Sequence, residues 1–196
     1  MSALHDGSTF LINKFAVALT PGLTLTDPRP LNREKVRFLA TGLTKAVQGF
    51  PPLPYVAEEV ETIRSLYSGD QLMNQDFRAA GFEQKLRDGR YGILHIATHG
   101  KFSTSANDSF LLTFDEKLTM SSLDQLIGLF RFREDPLELL TLSACQTGVG
   151  DDRAALGLAG VAIKAGARSA LATLWFINDE ASAELVSEFY RQLRNP

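Results

Sequence analysis

The stretch LLTLSACQTGVGDD, residues 139–152, runs from a nearly continuous apolar segment into a turn that holds two glycines and two acidic residues. A short apolar run without in/out alternation is typical of a strand buried on both faces in a parallel sheet, so we predict a strand over 137–143. Cys145, the chain's one cysteine, follows that strand. It is either a small apolar residue that closes the strand or a thiol presented for chemistry.

Strands and helices alternate outward from this stretch. Further strands are predicted at 10–19, 35–43, 93–97 and 169–177, and a hairpin at 109–119 with its tip at 115–117. Helices are predicted at 55–67, 75–89, 121–130, 154–164 and 179–194, with Asn74 as the N-cap of the second and Ser121 or Ser122 as the cap of the third. This order predicts an α/β fold with a mostly parallel central sheet and helices on both faces.

Length and composition narrow the class of protein. The 196 residues, 44% of them hydrophobic, suit one domain over 1–196. A net charge of -3 and a pI near 5.6 give no reason to expect a basic surface that binds nucleic acid or an anionic membrane. A single cysteine, no apolar run of membrane-spanning length and no signal-peptide pattern predict a cytoplasmic protein in a reducing compartment.

Two predicted strands end in residues that can carry chemistry. The segment ILHIATHG ends at His99 and Gly100, and the segment LLTLSACQTG ends near Cys145. If these strands are parallel neighbours, imidazole and thiol emerge at the same edge of the sheet. An imidazole can activate a thiol, and the backbone N–H groups of Gly100 and Cys145 could stabilise an oxyanion.

Other readings of the same residues are weaker. His95 and His99 are four apart, as in half of a zinc site, but the segment is predicted to be a strand and lacks the expected glutamate, so no metal is expected. His95 is either a satisfied core histidine or a partner of the site. Gly148 and Gly150 open a helix after a strand, yet the third glycine of a dinucleotide loop is missing, so no cofactor is expected.

Four segments together resemble a known family. They are ILHIATHGKF, DSFLLTFDEKLT, the long run from LLTLSACQTG to FINDEAS, and EFYRQL, at residues 93–102, 108–119, 139–182 and 188–193. In this order and spacing they look like a CHAT domain, the caspase-like domain found beside tetratricopeptide repeats in bacteria, especially cyanobacteria. The resemblance covers about residues 10–193.

The resemblance implies a caspase/separase-like α/β/α sandwich and a cysteine endopeptidase. It implies that Cys145 is the nucleophile, that His99 is the general base and acid, and that the Gly100 and Cys145 amides form the oxyanion hole. Tetratricopeptide repeats do not precede the domain here, and family members usually continue beyond the last helix. The chain is therefore expected to be a fragment of a larger protein, with such repeats in the parent chain or in a partner.

Acidic residues near the strand ends suggest a substrate class. Related peptidases that cut after Arg or Lys use an acidic pocket, so a basic P1 residue is predicted; the candidates are Asp108, Asp151, Asp152 and Asp179. Alternatively, such acids cap the helix predicted from 154, where its dipole favours carboxylates. The rival to a peptidase that cleaves a protein substrate is a catalytically silent or partner-regulated interaction module of the same fold.

Overall fold

A parallel β-sheet forms the centre of the part of the chain that the computed structural model describes, namely residues 5–14, 31, 35–102, 109–128, 130, 133, 135–143, 146–147, 166–172 and 178–195. The described elements, in chain order, are β1 (Phe38–Gly42), α1 (Val56–Leu66), β2 (Gly69–Met73), α2 (Ala79–Asp88), β3 (Ile93–Ala97), β4 (Gly100–Phe102), β5 (Phe110–Leu112), β6 (Lys117–Thr119), α3 (Met120–Gly128), β7 (Leu137–Ser143), β8 (Gln146–Thr147), β9 (Ala167–Ala172) and α4 (Asp179–Arg194).

The central sheet has the strand order β2-β1-β3-β7-β9, and every neighbouring pair in it is parallel. A second, smaller sheet has the order β6-β5-β4-β8; β5 is antiparallel to both of its neighbours, whereas β4 and β8 are parallel. The prediction of an α/β fold with a mostly parallel central sheet is confirmed.

Alternate residues of the central strands face two different helical layers. On one face, Leu94 and Leu140 pack with apolar side chains of α2 and α3, including Phe82 and Ile127. On the other face, Ile93, Ala97 and Leu139 pack with side chains of α1 and α4, which are Val56, Val60, Ile63, Val186 and Tyr190. Because both faces are buried, the strands have the continuous apolar character from which a parallel sheet was predicted.

Several helices and strands lie where the sequence predicts them. The strand 137–143 and the helix 179–194 have the predicted bounds, and the strand 93–97, the helix 55–67 and the hairpin 109–119 are confirmed within a residue or two. The strand predicted at 35–43 is shorter, at Phe38–Gly42. The strand predicted at 169–177 begins two residues earlier, at Ala167, and is described to Ala172. The helix predicted at 154–164 lies outside the described residues.

The prediction of a strand from residue 10 is wrong over its described part. Leu11–Asn13 form a 3-10 turn, and Phe10 makes only an isolated bridge to His5. The reason is local: the Asp6 carboxylate accepts the backbone N–H groups of Ser8 and Thr9 and pairs with the ammonium group of Lys14. These contacts close 5–14 into a turn, and 15–19 lie outside the described residues.

The predicted caps of two helices are also wrong. Asn74 lies in a 3-10 turn with φ +50, and α2 begins only at Ala79, whose N–H donates to the Asp115 carboxylate at 3.0 Å. The third helix begins at Met120 rather than 121, and the Thr119 hydroxyl accepts the N–H of Ser122 at 3.2 Å. A cap supplied by another element, as Asp115 supplies it, leaves no local sequence pattern.

Candidate active site

The central sheet splits where β3 and β7 end. Ala97 of β3 pairs with Ser143 of β7, and the Thr98 N–H still donates to the Ser143 carbonyl at 3.3 Å. Each chain then enters the smaller sheet, where Lys101 of β4 pairs with Gln146 of β8. His99 lies between these two points of pairing, on the β3 to β4 segment.

Cys145 lies outside the described residues, as do Asp108, Asp151 and Asp152. Its described neighbours in sequence are Ser143 and Gln146, which pair with Ala97 and Lys101. The condition on which the sequence argument depends, that the two strands are parallel neighbours, is therefore met. The prediction that the thiol meets the imidazole stays a prediction.

The imidazole of His99 is held on two sides. Its Nε2 lies 2.8 Å from the carbonyl oxygen of Pro51, and its ring packs against that of Phe50 with 5.1 Å between centroids. A carbonyl oxygen only accepts hydrogen bonds, so Nε2 carries the hydrogen, and Nδ1 of the neutral ring is left as an acceptor. The residue is 8% exposed. His99 is thus prepared to accept a proton at Nδ1.

The loop 43–55, which carries Phe50 and Pro51, is itself anchored. The Asn74 side-chain oxygen accepts the N–H groups of Thr44 and Lys45 at 2.9 and 3.2 Å. Further along, Val47 and Phe50 exchange two backbone hydrogen bonds around Gln48 and Gly49, both with positive φ. Glycine is favoured in tight hairpin turns of this kind. The turn places the ring of Phe50 against the imidazole of His99.

The main chain around His99 is fixed by β5. The His99 carbonyl accepts the Leu112 N–H at 2.8 Å, and Gly100 lies opposite Leu111. In an antiparallel ladder this makes Gly100 and Leu111 a non-hydrogen-bonded pair, whose backbone groups point away from each other's strand. The Gly100 N–H is therefore directed away from β5, to the side of β4 on which β8 pairs.

Asp179 lies at the first residue of α4, next to the same loop. The helix is capped by Asn178, whose side chain accepts the N–H groups of Glu180 and Ala181, so Asp179 is not the cap. One carboxylate oxygen accepts the Tyr55 N–H at 3.0 Å, and the other is buried without a hydrogen-bond partner. Burial raises the pKa of this carboxyl; the Tyr55 N–H lowers it, the charge of Glu59 raises it, and His99 lowers it.

A buried polar cluster lies on the α1/α4 face of the sheet, behind the strand ends. Its members are Glu59, His95, Thr141, Ser143, Ser182 and Tyr190, all at most 1% exposed. The Glu59 carboxylate accepts the Ser143 hydroxyl at 3.1 Å and lies 3.1 Å from His95 Nε2. The Tyr190 hydroxyl donates to Thr141 Oγ1 at 2.8 Å. His95 is thus fully buried, with Nδ1 3.4 Å from the Tyr190 hydroxyl and with Nε2 beside the Glu59 carboxylate in a contact without hydrogen-bond geometry.

Sequence reasoning missed Glu59, Phe50 and Pro51. Glu59 lies three residues after Val56 and four before Ile63, on the apolar face of its helix. A charged residue at such a position is a signal that could have identified it. For Pro51 there was no signal, since the contact joins residues 48 apart in sequence.

The two histidines have separate partners, Glu59 and the Pro51 carbonyl. Within the described part of the chain, no group of three or more His, Cys, Asp or Glu side chains is arranged to hold a metal ion. Among the same residues, no helix is long and apolar enough to cross a membrane.

Solved structures share only a coarse likeness with the chain. A flavodoxin of Streptococcus pneumoniae TIGR4 has 15% sequence identity and a TM-score of 0.47, and covers 81% of this chain and 97% of its own. A flavodoxin of Megasphaera elsdenii has 9% identity and a TM-score of 0.43, with coverages of 80% and 98%. A Geobacter sulfurreducens protein has 15% identity and a TM-score of 0.40, with coverages of 57% and 50%. These values give no functional information.

Sequence comparison is more specific. None of the curated proteins compared with the chain matches it, but the family model described as "CHAT domain" matches residues 1–196. That match spans the His-Gly strand end, the Ser-Ala-Cys-Gln-Thr-Gly segment and the final helix from which the resemblance was first drawn. The chain belongs to the CHAT domain family.

Proposed function

We propose that this CHAT domain is a caspase-like cysteine endopeptidase with His99 and Cys145 as its dyad. The observation that carries the proposal is the hydrogen bond between His99 Nε2 and the Pro51 carbonyl, because it leaves Nδ1 as the proton acceptor. Ser143, two residues before Cys145, pairs with Ala97, two residues before His99. Gln146, just after Cys145, pairs with Lys101, two residues after His99. Consecutive Cα atoms are about 3.8 Å apart, so this pairing favours a thiol near the imidazole.

The proposed reaction is acyl transfer followed by hydrolysis. The Cys145 thiol gives its proton to His99 Nδ1, and the thiolate attacks the peptide carbonyl carbon. The N–H groups of Gly100 and Cys145 stabilise the oxyanion; the direction of the Gly100 N–H, away from β5, supports its share of this role. The imidazolium then protonates the leaving amine, and water, activated by His99, hydrolyses the thioester and restores the thiol. These steps need neither a metal nor an organic cofactor.

The proposed substrate is a protein cleaved after Arg or Lys. The described residue that supports this is Asp179, an acidic group close enough to His99 for an electrostatic interaction, whose second oxygen is buried without a hydrogen-bond partner. Asp108, Asp151 and Asp152 are the other acids proposed to bind the basic side chain. A carboxylate that is partly dehydrated and incompletely hydrogen-bonded gains by pairing with a guanidinium or ammonium group.

The dyad is tested by cleavage of a peptide library. The chain is incubated with unfolded proteome-derived peptides, and the new termini are sequenced by mass spectrometry. We expect cleavage by the wild-type protein and a loss of at least about a thousandfold in Cys145→Ala and His99→Ala, because each removes a group of the reacting unit. Cleavage that survives both substitutions would exclude the dyad, and absence of cleavage by the wild type would favour the interaction module.

The same termini test the substrate class. Arg and Lys should dominate the position before the cut, and Asp179→Asn should reduce cleavage after Arg about tenfold or more while cleavage after neutral residues changes less. Asp124→Asn, which changes an acidic residue on α3, is the matched control and should leave the preference for the residue before the cut unchanged. Equal cleavage after Arg and Asp would exclude a basic preference.

The proposal also includes a cellular compartment and a partner. A nucleophilic thiol must stay reduced, which favours the cytoplasm. A tetratricopeptide-repeat region, in the parent chain or in a second protein, is the proposed regulator, as the family association implies.

A further inference from the structure

A single buried carboxylate contacts both strands that lead to the proposed dyad. Glu59 extends from α1 and is 1% exposed. Its Oε1 lies 3.1 Å from His95 Nε2, a close contact without hydrogen-bond geometry, and His95 is four residues before His99. Its Oε2 accepts the Ser143 hydroxyl at 3.1 Å, and Ser143 is two residues before Cys145.

The hydroxyl groups around this carboxylate have a defined direction. A serine hydroxyl has one hydrogen, and that of Ser143 is donated to Glu59. The Ser182 hydroxyl, 3.1 Å from Ser143 Oγ, must therefore donate to it. The chain of hydrogen bonds runs from Ser182 on α4 through Ser143 on β7 to Glu59 on α1, so two helices hold the end of the strand.

Stability alone does not account for a buried acid here. Apolar side chains of similar volume in place of a buried ion pair often leave a protein as stable or more so, since both charges must be dehydrated. Apolar residues surround the cluster on the same face, among them Val60, Ile93 and Leu139. The sequence thus places a polar group where an apolar one would pack, and where it contacts the ends of both strands.

We propose that Glu59 is a positioning residue that fixes the end of β7 against β3, through Ser143 and His95, and so sets Cys145 relative to His99. The inference rests on the proposed function, because it concerns the geometry of that dyad. In this proposal Glu59 acts through Ser143, whose hydroxyl it accepts, and is not itself a reacting group. A hydrogen bond to a buried carboxylate is strong and directional, which suits it to hold a strand end that is followed by a catalytic turn.

The chain offers a direct readout, since Cys145 is its single cysteine. Alkylation of the folded protein by iodoacetamide near pH 6.5 therefore reports on one thiol, and an isolated thiol of pKa about 8.5 reacts slowly there. Loss of positioning and loss of structure have opposite effects. A misplaced imidazole lowers the rate, whereas local unfolding that makes the thiol more accessible raises it.

The test compares Ser143→Ala with Thr141→Val. Both remove a buried hydroxyl from the same face of β7, but Thr141 lies two residues farther from Cys145 and bonds to Tyr190 instead of Glu59. We expect Ser143→Ala to slow alkylation by about tenfold to a hundredfold, as misplaced reacting groups do. The alkylation rate of Thr141→Val should stay within about twofold of the wild-type rate, even if its melting temperature falls as much as that of Ser143→Ala.

Glu59 itself is tested by two substitutions. Glu59→Ala should slow alkylation as Ser143→Ala does, and Glu59→Gln should restore most of the rate because its amide oxygen can still accept the Ser143 hydroxyl. If Glu59→Ala does not fold, the Ser143 and Thr141 pair still decides the question. Equal rates in Ser143→Ala and Thr141→Val, or faster alkylation in Ser143→Ala, would overturn the proposal.

His99→Ala separates this proposal from the one on which it rests. If His99→Ala and the wild type alkylate equally fast, the dyad itself fails and the positioning role falls with it. If His99→Ala slows alkylation while Ser143→Ala does not, the dyad stands and only the role of Glu59 is overturned.

Discussion

The two faces of the central sheet are built differently. The face toward α2 and α3 is packed with Leu, Ile and Phe side chains, such as Leu94, Leu140 and Phe82. The face toward α1 and α4 has an apolar cluster as well, but it also buries Glu59, His95 and the hydroxyl-bearing side chains of the polar cluster. One face thus has the composition that stability alone favours, and the other carries groups whose burial needs a specific partner for each.

The proposed function constrains the two faces of the sheet differently. Polar groups in a dry interior cost free energy unless their hydrogen bonds are complete, and they then specify one geometry. In this chain they lie on the face that contains Ser143 and His95, upstream of Cys145 and His99. The apolar face can vary as long as its volume is conserved, whereas the polar face is tied to the position of the strand ends.

The largest effect is expected from breaking the apolar face. Phe82 is fully buried on α2 and packs edge-to-face on Phe77 with 5.5 Å between centroids. Phe82→Ala should lower the free energy of unfolding by about 3–5 kcal/mol, because it removes a large side chain and leaves a cavity. Urea unfolding followed by circular dichroism measures this loss.

The same variant also tests whether the apolar face affects the reactivity of Cys145. As long as the protein is folded, alkylation in Phe82→Ala should stay within about twofold of the wild type, since the polar face is intact. A loss in stability below about 1 kcal/mol would mean that α2 is not part of the core. A large change in alkylation of the folded protein would show that the two faces are coupled.

A smaller effect is expected from one hydroxyl on the polar face. Tyr190 is buried on α4; its hydroxyl donates to Thr141 Oγ1 at 2.8 Å and lies 3.4 Å from His95 Nδ1. Tyr190→Phe keeps the ring and should lower the free energy of unfolding by about 1–2 kcal/mol, because the Thr141 hydroxyl loses a buried partner.

Tyr91→Phe is the matched control on the α2 side. The Tyr91 hydroxyl donates to Asp70, whose partly exposed carboxylate also pairs with Arg37 and Lys85. Water can replace the lost hydroxyl there, so the loss should be at most about half of that in Tyr190→Phe. Equal losses in the two variants would contradict the distinction between a dry polar face and a wet sheet edge.

The sequence predicted the central strands well, because their signal is local. The strand 137–143 is a continuous apolar run, and the helix 179–194 has an amphipathic pattern with a capping Asn178 before it. β2 was missed because it is an edge strand: Gly69, Asp70 and Gln71 lie toward solvent, and their sequence has no alternation of apolar and polar residues. Asn74 was misassigned because its side chain bonds to Thr44 rather than to its own helix.

The candidate site was predictable only in part, for the same reason. The position of His99 at a strand end follows from the apolar run before it. The parallel pairing of β3 with β7 shows that the strand before His99 lies next to the strand before Cys145. The partners of His99 do not follow from any pattern, since Pro51 and Phe50 reach it from a loop distant in sequence. Glu59 could have been suspected from its place on an apolar helix face, but its contacts with two strands depend on the assembled fold.

The smallest effect is expected from Asp179, at the edge of the polar face. Burial and the charge of Glu59 raise the pKa of this carboxyl, against the Tyr55 N–H and His99, which lower it. An acid whose pKa is raised by folding stabilises the fold fully below its unfolded pKa of about 3.9, and that contribution is lost as the pH rises through the folded value.

Asp179→Asn removes this titration but can still accept the Tyr55 N–H, so its melting temperature should exceed that of the wild type by about 1–3 °C at pH 7. The difference should vanish near pH 3, where the wild-type carboxyl is protonated. Asp124→Asn, on α3, should show neither effect. A variant that is less stable than the wild type at pH 7 but not near pH 3 would mean that the ionised carboxylate stabilises the fold, which contradicts the prediction. A variant that is more stable but cleaves less after Arg would show that this acid is kept for its substrate at the expense of the fold, as binding groups often are.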